Sequence, residues 1–145
     1  MSYTSWHTYG YGVCLTGMEC GSMKRMENLL KLAPEYHKSV QNWLKEQGIA
    51  KPDVDDVLEF DREYHLGLAT ILQNVIQEAE NIRFTACDDC NSEIYLVYEP
   101  SYPWNMPEKE ENLTEEILRL VLKKYISILT DEVFEVDYCS VENGG

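Results

Sequence analysis

No run of apolar residues in this sequence approaches the length of about 18 that a membrane-spanning helix needs, so no helical span is expected. The opening residues Met1-Ser-Tyr-Thr-Ser-Trp-His7 lack the basic start and apolar run of a secretory leader, and the expected location is cytoplasmic. Cysteines are few and odd in number: Cys14, Cys20, Cys87, Cys90 and Cys139. In a chain without a leader they read as reduced thiols rather than as a disulfide framework. The sequence has no H-E-x-x-H, no P-loop and no nucleophile elbow around a serine. An enzyme is therefore the less favoured class.

Positive charge is also scarce. The 12 lysines and arginines face 26 aspartates and glutamates, for a formal net charge of -14. Residues 1–50 hold four of the acids against five bases, and residues 51–145 hold the other 22 against seven. A field of that sign repels nucleic acid and anionic membranes and attracts basic surfaces. Direct binding to nucleic acid or to a membrane is not expected. Binding to a basic protein surface is, and that protein can itself be a nucleic-acid-binding host protein.

What the chain does have is enough apolar material for a core. Hydrophobic residues make up 44% of its 145 positions, which fits one globular domain over residues 1–145. Residues 3–15 alternate as a strand, with His7, Tyr9, Tyr11 and Val13 on one face and Trp6, Thr8, Gly10 and Gly12 on the other. Gly10 and Gly12 mark bulges or close approaches. Ser22 caps a helix carrying Met23, Met26, Leu29 and Leu30. Pro34 opens a second helix with Tyr36, Val40, Trp43 and Leu44, and Gly48 stops it. Asp53 caps a short third helix with Val54, Val57, Leu58 and Phe60. A fourth is expected over residues 62–80, where Tyr64, Leu68, Ile71, Val75 and Ala79 fall at helical spacing.

The period then changes to two. Residues 82–87 and 92–98 read as strands of a hairpin turning at Asp88-Asp89-Cys90-Asn91. After a proline-rich loop, Asn112 or Thr114 caps a last helix with Ile117, Val121, Tyr125 and Ile128 inward. A strand from Val133 to Val141 follows, and residues 142–145 are expected to fray. The predicted class is α+β, a roughly four-stranded antiparallel sheet in β-α-β-β-α-β-like order with extra helices between the first two strands.

Several groups carry candidate chemistry. Cys87-Asp-Asp-Cys90 at a hairpin tip presents two thiolates as a zinc knuckle does, and zinc would need two further ligands. As a redox pair the motif is poorly placed, because it opens no helix and is flanked by acids. Asp61 and His65 would share a helical face, without a third ligand in register. Gly10-x-Gly12 followed by Gly17 matches no phosphate loop. The loop from Tyr98 to Pro107 displays Tyr98, Tyr102 and Trp104 on a stiff backbone, followed by Glu108, Glu110 and Glu111. Aromatic anchors beside acids suit a basic partner surface, and the same aromatics can equally fold back onto the core.

The segments SWHTYGYG, TACDDCNSEIYLVYEPSYPW and SVENGG, in that order, resemble small uncharacterised proteins of Firmicutes genomes, phages and mobile elements. The resemblance carries no functional residues. It implies a context in which small acidic proteins act as inhibitors of host defence. The leading expectation is thus a non-enzymatic acidic protein-binding domain, an inhibitor or nucleic-acid mimic that engages a basic protein surface. The alternatives are a zinc-stabilised small domain built on Cys87 and Cys90, and a small Cys/His hydrolase or transferase.

Overall fold

A computed structural model describes residues 5–60, 66–89, 93–99 and 114–144. The sheet begins with β1 (Ser5–Cys14) and is completed by β2 (Thr85–Asp88), β3 (Ile94–Tyr98) and β4 (Val136–Gly144). Its order is β2-β3-β1-β4, and every neighbouring pair is antiparallel. Between β1 and β2 lie α1 (Met23–Leu30), α2 (Pro34–Glu46), α3 (Val54–Phe60) and α4 (Leu68–Glu80), and α5 (Glu115–Leu129) joins β3 to β4. This is the expected α+β class and the expected β-α-β-β-α-β order, with three helices added to the first crossover.

Alternation along β1 explains which face meets the helices. Tyr11, Val13 and Leu15 are buried in the core, and across the ladder Val13 faces Leu96 and Val136. Opposite them α4 presents Leu68, Ile71, Leu72, Val75 and Ile76, and α5 presents Leu118, Val121, Leu122, Tyr125, Ile126 and Leu129. Each such side chain contributes about 1.5–3 kcal/mol when fully removed from water. α1 packs against α5, and α2 against α3 and α4.

The other sheet face is built by close approach. Gly10 and Gly12 are buried, and a Cβ on Gly12 would lie 2.1 Å from the Leu96 carbonyl oxygen. β2 and β4, at opposite edges, come into contact, so the sheet is strongly coiled toward this face. Val97 and Val141 are buried on it.

Caps follow the sequence signals in most cases. Ser22 Oγ accepts from the Arg25 amide, and Thr114 Oγ1 from that of Ile117. Gly48 has φ +72, the left-handed conformation expected just past a helix end. At α2 the cap comes from elsewhere. Ala33 has no side chain to offer, Pro34 has no N–H, and the amides of Glu35 and Tyr36 both donate to the Glu78 carboxylate of α4 at 2.9 Å. One acid thereby satisfies two orphan donors and ties α2 to α4.

The structure also corrects several expectations. α4 starts at Leu68 because Gly67, at φ +53, breaks the helical path; residues 61–65 lie outside the described segments. Ala79 is exposed, since the buried stripe of α4 drifts through Leu72 and Ile76. Ile117 is likewise exposed, with Leu118 and Leu122 taking the inward positions. β2 is shorter than expected, yet Ile82 and Phe84 ahead of it are buried. β4 begins at Val136, leaving Val133 88% exposed. β4 is paired as far as Gly144, opposite Ser5–His7 of β1.

The end of α4 is locked onto α5. Glu80 Oε1 accepts from the buried Tyr125 hydroxyl at 2.7 Å and from Lys124 Nζ at 3.2 Å. The Tyr125 hydrogen bond, helped by Lys124 and opposed by burial, holds the Glu80 carboxyl below its usual value. Burial first, and then the bond to Glu80, push the Tyr125 phenol up. A depressed carboxyl contributes stability that is present above its unfolded value of about 4.3 and is lost as pH falls through the folded one. A raised phenol contributes below its unfolded value of about 10 and loses that contribution above it. Glu80→Gln is expected to cost about 1–2 kcal/mol at neutral pH, with the gap to the parent closing on acidification. Urea denaturation of both chains at pH 7 and pH 3 measures it, and a gap independent of pH would refute this account.

Candidate functional site: an acidic cleft

A cleft of about 420 Å³ opens where the loop after β1, α3 and the start of α4 converge beside the first residue of β3. Each wall is held by local chemistry. The loop is tied down along its length: the Leu15 amide donates to the Ile94 carbonyl, the Ile94 amide to Thr16 Oγ1, and the Gly21 amide to the Leu129 carbonyl. Within it the Met18 amide donates to the Leu15 carbonyl, and Gly17 takes φ +79. That turn sends Met18 into the core and leaves the neighbouring Glu19 exposed.

The second wall is α3. Its N-terminus is a reciprocal capping box in which Asp53 Oδ1 accepts from the Asp56 amide at 3.0 Å and Asp56 Oδ2 from the Asp53 amide at 2.9 Å. Two of the three aspartates are thus engaged with backbone. Asp55, between them, lines the cleft and is exposed. The third wall, Leu66 to Ala69, turns at Gly67 into α4.

The floor is apolar, formed by Leu15, Met18, Leu58, Leu68 and Ile94. Among the described residues of the lining, Glu19 and Asp55 are the carboxylates, and there is no lysine, arginine or histidine. Among the described residues neither carboxylate finds a hydrogen-bond or ion-pair partner. Further acids stand beside the cleft: Asp88, Asp89 and Glu93 flank the turn of the β2–β3 hairpin, which adjoins Ile94.

Of the residues singled out from sequence, Tyr98 and Cys87 fall within the described segments. Tyr98 is half-buried, its ring edge-to-face with Phe84 at 6.1 Å, so it packs on the core at the point where the loop leaves β3. Tyr102, Trp104, Glu108, Glu110 and Glu111 lie outside the described residues, as do Cys90, Asp61 and His65. Cys87 sits on the helix-free face of β2, sharing a row with Tyr95 and, beyond it, Cys14. Burial first, and then the charges of Glu99 and Asp88, push its thiol up to about 11, which disfavours the thiolate that a metal or a nucleophile requires. Cys139 on β4 is raised too, by burial and then by Cys14. Among the described residues no group of three or more His, Cys, Asp or Glu side chains is placed to hold a metal ion.

A second cleft runs along the polar side of α4 past Thr70, Gln73, Asn74, Gln77 and Arg83. Two of its amides are already engaged: Gln73 Nε2 donates to the Phe84 carbonyl and Asn74 Nδ2 to that of Thr70. Glu19 and Asp55 lie far apart in the sequence, and charge counted along the chain does not pair them. One signal was available: Asp53-x-x-Asp56 is a capping pattern that leaves Asp55 spare. Among the described residues no helix is long and apolar enough to cross a membrane. Comparison of the chain with protein-family models, with curated proteins and with solved structures yields no match.

Proposed function

We propose that this chain is a non-enzymatic, acidic protein-binding domain that engages a basic protein surface, such as the surface with which a nucleic-acid-binding protein meets its own ligand. The observation that carries the reading is the cleft, an apolar floor rimmed by two carboxylates that have no partner among the described residues. An apolar centre with a charged rim is the anatomy of a recognition surface, and its sign selects partners of the opposite sign. The net charge of -14 extends the same preference over the molecule and speeds encounter with a basic surface.

The test is capture of partners from a lysate by the tagged chain, beside a variant with Glu19→Lys and Asp55→Lys and another with Glu108, Glu110 and Glu111 each changed to lysine. Salt shortens the Debye length from about 30 Å at 0.01 M to about 3 Å at 1 M, so true electrostatic capture weakens sharply across that range. The expected result is a stoichiometric basic protein, held at low salt, released at high salt and lost from at least one variant. Capture that ignores both salt and charge reversal would sink the reading.

A further inference from the structure

The cleft is more specific than a general acidic surface. Glu19 comes from the loop after β1 and Asp55 from α3, so the two carboxylates stand on different walls with apolar side chains between them. A metal ion would want several convergent oxygens, and no such group is present among the described residues. A nucleic-acid phosphate would be repelled by both acids. A lysine ammonium is a compact, strongly hydrated point charge, suited to one carboxylate at a time. An arginine stem, like that of lysine, lies along apolar surface while its head stays polar, but its planar fork carries five donors that can address two acceptors at once.

We propose that the cleft is a socket for one arginine side chain projected by the basic partner. The stem lies over Leu15, Met18, Leu58 and Leu68, and the guanidinium is shared between Glu19 and Asp55. This rests on the reading of the chain as a binder of basic protein surfaces and names the group that its cleft accepts. Both carboxylates meet the guanidinium without giving up a partner among the described residues.

The experiment is an amide NMR titration of the intact chain with N-acetyl-arginine amide, with the citrulline and lysine analogues in parallel. Citrulline keeps the shape of arginine and removes the charge. The expected result is saturable shifts confined to residues 15–20, 54–58 and 66–69, at least tenfold weaker with lysine and absent with citrulline. Glu19→Gln with Asp55→Asn should abolish the response, and the amide spectrum of that variant verifies that it is folded. Equal shifts with citrulline, shifts elsewhere, or an unchanged response in the variant would overturn the socket. If the arginine probe fails while salt-sensitive capture of a basic partner persists, the socket falls and the broader function stands. If capture is also insensitive to salt, both fall.

Discussion

Gly12→Ala is expected to leave little folded protein. The added methyl would sit 2.1 Å from the Leu96 carbonyl oxygen, 2.6 Å from Val97 Cα and 2.8 Å from Val97 Cγ1. Two of these are backbone atoms of the strand to which Gly12 is paired, so no side-chain rotation relieves the clash. Relief requires β1 and β3 to separate at the middle of the sheet, where β1 also carries β4. The cost should exceed about 4 kcal/mol, a large part of the 5–15 kcal/mol that a typical domain has in hand. Gly21→Ala is the control, because its nearest neighbour is the flexible Arg25 side chain at 3.1 Å. Thermal melting by circular dichroism distinguishes the two. A Gly12→Ala chain melting within a few degrees of the parent would contradict the close approach.

Phe84→Ala should be the next most damaging change. Phe84 is completely buried and lies just ahead of β2. Its ring meets Tyr98 edge-to-face, and its carbonyl accepts from Gln73 Nε2 at 3.0 Å. Truncation removes the ring from between α4 and the sheet and leaves a cavity, at a cost of about 3–5 kcal/mol. Phe84→Leu keeps most of the volume and should cost roughly 1.5 kcal/mol or less. Urea denaturation gives both values. A loss below about 1.5 kcal/mol for alanine would mean that the site collapses around the gap, and that Phe84 does not hold Tyr98 in place.

The helices were largely legible because their caps and stripes are local. Ser22, Pro34, Asp53 and Thr114 each mark the boundary found in the structure. The exceptions are instructive. Apolar spacing continues upstream of α4, so periodicity alone places its start before Leu68, and the positive φ of Gly67 is a local veto that periodicity does not weigh. Glu78 as the cap of α2 was invisible, since its two donors are more than 40 residues away in sequence. Ladder ends are hidden for a similar reason: a strand extends as far as its partner does, and β1 pairs with β4 as far as Gly144. The cleft was not legible at all. Glu19 and Asp55 meet across a space defined by a turn, a capping box and a glycine, three local features whose convergence only the fold supplies.

The pairing of β1 with β4 has a consequence for how the molecule is made. Val13 pairs with Val136 and Ser5 with Gly144, so the partners lie far apart in sequence. At synthesis rates of 5–20 residues per second, β1 waits roughly 6–25 s before β4 has been assembled. During that interval the hairpin of β2 and β3 can dock on one side of β1 while the other side stays an open template for any extended segment nearby. A newborn chain is therefore most vulnerable to pairing with its neighbours on a crowded polysome. β4 acts as a latch, shielding that template only once it has been made.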